Sequence, residues 1–506
     1  MKFRWLNFLI AGVLLCTFSG TLFAAKETPA QPDKKVQQSK KAQPAKTAPS
    51  TTKLPNMANK KWTGDLDGMI KRRYIRALVP FTKTLYFIDR GTQRGLAYEA
   101  LRLFEDDLNK ALKKKNVRVH VVFLPVSRDK IIPYLRGGKG DVAMANLTIT
   151  PQRRKEVDFS TPTAKNVAEI VITGPASKPM ADKEALSGQE VYVRKSSSFY
   201  ESLEKLNADF ARQKKPPVRI RLAPENLETE DLLEMVNAGL VKATVVDSPI
   251  AEFWKQVFPK IVLNYGAAVR TGGELGWMFR KNSPKLKTAV NNFLARYPEG
   301  SKTRNMLLQK YLKSAKYVKD ATSQAERAKF EKTLDFFRKY GGQYDMDYLL
   351  LMAQGYQESR LDHNAKSKAG AVGIMQVMPA TGKEMKVGDI RQVEPNIQAG
   401  VKYIRFMVDQ YYKNEPMDEL NKGLFAFAAY NAGPARIAQF RKLAAKRKLN
   451  PNVWFNNVEL IAAEKIGRET VTYVSNIYKY YLAYQLIMEE EKERAEAIKQ
   501  MKKEGK

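Results

Sequence analysis

The chain has 506 residues, enough for two or three domains that each bury a core. Its 87 Lys and Arg against 53 Asp and Glu give a formal charge of +34, a field that favours polyanions such as nucleic acid, acidic lipid headgroups or a carboxylate-rich wall. A single cysteine, Cys16, excludes a disulfide scaffold and a thiolate metal site, and two distant histidines, His120 and His363, argue against a His-based metal centre and a Ser-His-Asp hydrolase. No cofactor and no metal is expected. The basic residues are spread along the whole chain, so a solvated surface accounts for much of the charge.

The N-terminus carries an address. Lys2 and Arg4 precede an apolar run over residues 6–15, and Ala24-Ala25 supply small residues for cleavage. Residues 1–25 therefore read as a secretory signal, too short for a membrane span. Leu15 before Cys16 is bulky where lipid-attachment sites have a small residue, so lipidation is not expected. Export argues against nucleic acid as a partner. Residues 26–60 are rich in Lys, Pro, Gln, Ala, Ser and Thr, the composition of a disordered basic tether. It serves as a spacer or as a weak electrostatic hold on wall or membrane.

Residues 61–315 alternate short β-rich runs (75–79, 117–124, 142–145, 170–173, 191–193, 220–222, 243–246) with helical patterns such as 96–112 and 127–135. That alternation predicts an α/β domain with mostly parallel sheet, divided into two lobes with a ligand cleft between them. Residues 316–333 are charged and alanine-containing, a short helical connector. Beyond it the patterns are helical. After the Gly341-Gly342 break, 344–361 reads as a helix on which Tyr344, Leu351 and Leu361 share a face with Glu358, although Asp347 and Gln354 interrupt the stripe. Two readings of Glu358 stand open: a proton donor with its pKa raised by apolar neighbours, or the partner of a buried arginine. Residues 426–431 form a small-residue helix stopped by Gly433-Pro434. Residues 488–506 form a dense charge run, a solvated helix extension or a frayed tail.

Two resemblances sharpen this reading. The run from Gly137 through Gly140-Asp141 and Thr148-Ile149-Thr150-Pro151-Gln152-Arg153 to Val157-Asp158-Phe159-Ser160-Thr161-Pro162 resembles the family 3 periplasmic solute-binding proteins. The resemblance implies that Arg153 pairs with a ligand carboxylate, with Thr148 adding a hydroxyl, Ser197 in Lys195-Ser196-Ser197-Ser198 donating from the second lobe, and Asp247 taking the ligand's amino group. A salt bridge from Arg153 to Glu156 or Asp158 is the structural alternative. Asn146 departs from the small residue usual in that family.

Gln357-Glu358-Ser359-Arg360-Leu361, then Gly373-Ile374-Met375-Gln376 and Ala429-Tyr430-Asn431-Ala432-Gly433-Pro434, resemble the family 1 lytic transglycosylases, whose catalytic domain has a goose-type-lysozyme-like, mainly α fold. The resemblance covers roughly 330–487 and sets the catalytic domain at 334–487. It implies cleavage of the β-1,4 bond between N-acetylmuramic acid and N-acetylglucosamine in peptidoglycan, with the muramyl 6-hydroxyl attacking its own anomeric carbon to leave a 1,6-anhydro end. The enzyme would thus be a carbon-oxygen lyase acting on a polysaccharide. Glu358 would be the acid and then the base. Ser367, Gln376, Asn431 and Tyr473 would contact or support the glycan, Met375 and Met378 would line the cleft, Tyr430 would tune Glu358, and Glu469 would contact the muramyl side or pair with Arg468.

A two-carboxylate glycosidase needs a second acid, and the sequence offers poor ones. Asp362 falls where the helix ends, and Asp347 lies about 16 Å away at helical rise. A hydrolytic muramidase and a non-catalytic cell-wall or amino-acid receptor remain the alternatives. The expected partners are peptidoglycan strands and an amino-acid or stem-peptide ligand that regulates from the first domain. The expected location is the periplasm, peripheral on the inner face of the outer membrane.

Overall fold

The computed structural model describes residues 60–504 apart from 90, 176, 178, 322 and 323. The expected signal sequence and nearly all of the tether lie outside the described residues. Twelve strands are formed among those described: β1 (Tyr74–Val79), β2 (Phe87–Asp89), β3 (Thr92–Arg94), β4 (His120–Pro125), β5 (Val142–Thr148), β6 (Val157–Phe159), β7 (Ala164–Thr173), β8 (Glu190–Arg194), β9 (Arg219–Ala223), β10 (Ala243–Asp247), β11 (Val262–Asn264) and β12 (Arg270–Arg280).

The sheet runs β4-β1-β5-β12-β7-β10-β8-β9. Its two flanks are parallel: β4, β1 and β5 in the first lobe, β10, β8 and β9 in the second. Long antiparallel strands β7 and β12 join them. Runs such as Ile75 to Val79 are buried on both faces because helices cover each side of a parallel sheet, which is why they read as continuous apolar stretches. The expected strands fall inside observed ones, with the 117–124 run starting three residues later at His120. β12 lies outside the expected strands, because its Arg, Gly and Glu residues hide its strand character.

The second half is helical, and two boundaries differ from expectation. Gly341-Gly342 does not break the chain but ends inside the helix Gln324–Gln343. A Cβ at Gly341 would stand 2.9 Å from the Met346 carbonyl, so glycine there permits a close turn after the helix. The Glu358 helix is Tyr348–Ser359, shorter than the 344–361 expected. Asp347 caps its start by accepting from the Leu349 N–H, and Arg360, at φ 58°, ends it. Residues 349 to 356 are buried all round, so this helix is central and its apolar stripe could not be clean.

The final helix, Glu469–Glu504, ties the halves together. Near its start it lies along the Glu358 helix, where the Tyr481 hydroxyl donates to the Asp347 cap at 2.7 Å. Midway, the Tyr484 hydroxyl donates to the Gly91 carbonyl of the first lobe at 2.8 Å. Towards its end Arg494 donates to Asp231 at 2.8 Å and to the Phe81 carbonyl at 3.2 Å, while Ala497, Ile498 and Met501 pack into the second lobe's core. The expected solvated or frayed tail is thus partly a buried helix end, because its few apolar residues fall on one face.

The first lobe is also clamped to the helical half by Arg73, whose two guanidinium nitrogens donate to Glu459 at 2.7 and 2.6 Å. The Glu459 side chain is fully buried. Arg73→Ala would strand that carboxylate, and we expect a loss of roughly 3 kcal/mol in unfolding free energy, read by denaturant titration.

Candidate active site

Glu358 sits one residue from the end of its helix, among the buried Tyr356 and the half-exposed Gln357 and Ser359. Burial dominates its chemistry and pushes its pKa from the ordinary 4.5 up to about 7. Hydrogen bonds from Tyr473 and Gln354 act in the opposite direction. The Tyr473 hydroxyl donates to Glu358 Oε1 across a short bond, and Gln354 Nε2 donates to that same hydroxyl at 3.2 Å. No arginine partner is found for Glu358 among the described residues. The phenol's own pKa is pushed well above its ordinary value by burial and by the carboxylate, so it stays a neutral donor.

No second acid adjoins this carboxyl among the described residues. Asp347 caps the far end of the helix, and Asp362 lies in the turn beyond, accepting from the Asn364 N–H at 2.9 Å. The geometry therefore offers one carboxyl with a proton affinity near neutrality, suited to giving up a proton and taking one back.

The Gly373 loop packs against the Glu358 helix. Gly373 has φ +77°, and a Cβ there would strike the Asn396 amide at 2.4 Å. Asn396, fully buried, accepts from the Met375 N–H at 2.9 Å and donates to the Val372 and Ile390 carbonyls. Ser359 joins the loop to the Glu358 helix by donating to the Ile374 carbonyl at 2.9 Å. Gln376 donates to the Ala365 and Gly373 carbonyls, which leaves its own carbonyl oxygen as the group able to meet a sugar amide. Ser367, exposed, accepts from the Ala371 N–H and shapes the turn before the loop.

Some expected residues take other positions. Met375, expected to line the cleft, is fully buried and packs against Gly400, so it belongs to the core. Met378 is 42% exposed, as a cleft rim requires. The Tyr430 hydroxyl donates to the Met375 carbonyl at 2.8 Å rather than to Glu358, though its pKa is raised by the nearby carboxylate after burial itself. Asn431 accepts from the Thr470 hydroxyl at 2.6 Å, bracing the start of the final helix. Glu469 is exposed on that helix's first turn. Gln354 and Asn396 were not singled out from sequence. A lone glutamine in the otherwise apolar run 349–355 was the available signal for the first.

A second site lies between the lobes. Arg153, Thr148, Ser197 and Asp247 line one cleft of about 590 Å³, counting space open to solvent. Arg153 is buried, with its guanidinium donating to the Thr148 carbonyl at 2.8 Å and across the cleft to the Ser196 carbonyl at 3.0 Å. The alternative salt bridge is absent: Glu156 pairs with Arg136. Ser197 caps the helix Ser198–Arg212, and Ser198 reaches Thr148 at 3.2 Å. Asp247 is raised to about 7 by burial and then by Glu169, and its Oδ1 is buried without a hydrogen-bond partner. Arg128, missed from sequence, crosses the cleft to Glu228 at 2.8 Å.

The raised pKa of Glu358 has a stability consequence. The unfolded carboxyl ionises near 4.5 and the folded one near 7, so the folded state loses stability as pH rises through that window. Glu358→Gln should, above the window only, stabilise the fold by about 2 kcal/mol. Thermal unfolding of both proteins on either side of the window checks this.

Residues 335–453 match the Transglycosylase SLT domain, and residues 78–314 match the bacterial extracellular solute-binding proteins, family 3. Two curated relatives carry the name membrane-bound lytic murein transglycosylase F. One, from Desulfosudis oleivorans, is 27% identical over 78% of this chain and 86% of its own length; the other, from Pseudomonas fluorescens, is 28% identical over 80% and 84%. Among solved structures, an ancestral arginine-binding protein bound to arginine aligns with 47% of this chain and 98% of its own at 22% identity and TM-score 0.40. The chain thus joins a family 3 extracellular solute-binding module to a transglycosylase SLT domain.

Proposed function

We propose that this protein is a peptidoglycan lytic transglycosylase that cleaves the β-1,4 bond between N-acetylmuramic acid and N-acetylglucosamine without water. The observation that carries the reading is a single half-buried carboxyl, held by a neutral phenol, with no second acid beside it among the described residues. Glu358 protonates the departing glycosidic oxygen. It then takes the proton of the muramyl 6-hydroxyl as that oxygen closes on the anomeric carbon. The nucleophile is already tethered to the reacting carbon, so proximity is built into the substrate and no positioned water is needed. Ser367, Gln376, Met378, Tyr430, Asn431, Tyr473 and Glu469 form or support the glycan cleft.

The domain limits that suit this reading are 61–315 for the ligand module, 316–333 for the connector and 334–487 for the catalytic module. The protein acts in the periplasm, peripheral on the inner face of the outer membrane. An amino acid or stem-peptide fragment binds between the lobes, its carboxylate on Arg153 and its amino group on Asp247, and changes access to Glu358. Two contacts support such coupling. Arg494 of the final helix stands 3.6 Å from Glu230, itself a wall of the ligand cleft. Gly91, in the first lobe's β2–β3 turn, packs so closely that a Cβ there would stand 2.7 Å from Leu361 and 3.2 Å from Tyr356. Only a ligand with different affinity for two lobe arrangements can drive the change.

Mass spectrometry of fragments released from purified sacculi tests the reaction. Wild type should release 1,6-anhydro ends and Glu358→Gln none; reducing ends instead would mark a hydrolase. For the regulatory claim, Arg153→Ala should weaken amino-acid or stem-peptide binding by about two orders of magnitude in calorimetry. Turnover that is identical with and without ligand in wild type removes the claim.

A further inference from the structure

Gln354 is the one polar side chain in the fully buried stretch 349–356 of the Glu358 helix, and it is 0% exposed. Its amide is only half used. Nε2 donates to the Tyr473 hydroxyl at 3.2 Å, while Oε1 is buried with no hydrogen-bond partner among the described residues. A leucine here would leave no orphaned carbonyl in the core, so the fold alone gives no reason for glutamine. Departures from local rules of this kind collect where a protein does chemistry.

We propose that Gln354 is a positioning residue for proton transfer, acting through Tyr473; this rests on the transglycosylase reading above. A phenol oxygen carries one proton and can also accept one hydrogen bond. The amide N–H cannot accept, so when it occupies the acceptor side of Tyr473 it directs the phenol's proton to Glu358 Oε1. The reverse amide orientation would compete with Glu358 for that proton. With Oε1 always an acceptor, the catalytic proton is confined to Oε2 in the acid form. The same Oε2 gives the proton to the glycosidic oxygen and recovers it from the 6-hydroxyl. The carboxyl need not rotate between the two steps. Both donors also oppose desolvation, keeping the proton affinity low enough for release.

The ionisable groups that face Glu358 are the phenols of Tyr473, on the final helix, and Tyr430, on the helix Glu419–Ala432. Neither titrates near neutrality, so a shift in the pH profile reports Glu358 itself.

Gln354→Leu and Gln354→Met should each lower kcat roughly tenfold with little change in KM, and shift the alkaline limb of the kcat profile upward by roughly half a unit to one unit, because losing a donor favours the protonated carboxyl. Both variants should melt no lower than wild type, since the orphaned carbonyl is gone. In the Tyr473→Phe background the same changes should have a clearly smaller effect than in the wild type, because the amide acts in large part through the hydroxyl. Unchanged kcat and pH limb in both single variants overturn the proposal, as does full additivity with Tyr473→Phe. If wild type itself yields no 1,6-anhydro ends, the reaction assignment fails instead, and that outcome is separable because it is read on the unaltered protein.

Discussion

The site depends on a carboxyl largely shielded from water and met by a donor that carries no charge. Burial alone drives Glu358 towards the neutral acid, and an arginine partner would drive it back to a permanent carboxylate. Tyr473 does neither. Its hydroxyl satisfies one oxygen of the carboxyl, while its own proton is held too tightly to leave, so Glu358 keeps a proton affinity near neutrality. This distinguishes the two readings that the helix pattern left open.

Tyr473 can take that place only because the final helix is locked along the Glu358 helix at two points. Tyr473 meets Glu358 near one end, and Tyr481 meets the Asp347 cap at the other. The neighbouring Gly373 loop is fixed by a different device. Asn396, reaching from its own helix into a loop with no regular structure, satisfies backbone groups on both sides of Gly373, and the absent side chain at Gly373 is what makes room for it. The loop, the acid and the neutral phenol are placed by three separate elements.

The same helix that carries Tyr473 runs on to Arg494, among the acidic residues beside the ligand cleft. Under the regulation proposed above, a change in lobe arrangement would bear on the element that holds Glu358. On that same proposal, the cross-cleft bonds from Arg128 to Glu228 and from Arg153 to the Ser196 carbonyl are those a ligand carboxylate would have to displace or share.

The alternation of β-rich and helical runs, the Thr148-to-Arg153 turn and the Glu358 motif were legible because each is written in contiguous residues whose period or spacing encodes its geometry. Strand β12 was not, since a strand held by neighbours on both sides needs little β propensity of its own. The 344–361 helix was read too long because its cap, Asp347, sat on the apparent stripe. Met375 looked like a cleft residue and is core, because only packing against Gly400 decides which way that loop turns. The partnership of Tyr473 with Glu358, the pinning of the loop by Asn396 and the burial of Ala497 in the other module are likewise matters of tertiary structure. Sequence by itself determined which chemical groups were available and on what local element. Their pairing, and with it the proton affinity of Glu358, follows from contacts between residues more than a hundred positions apart, which no local pattern records.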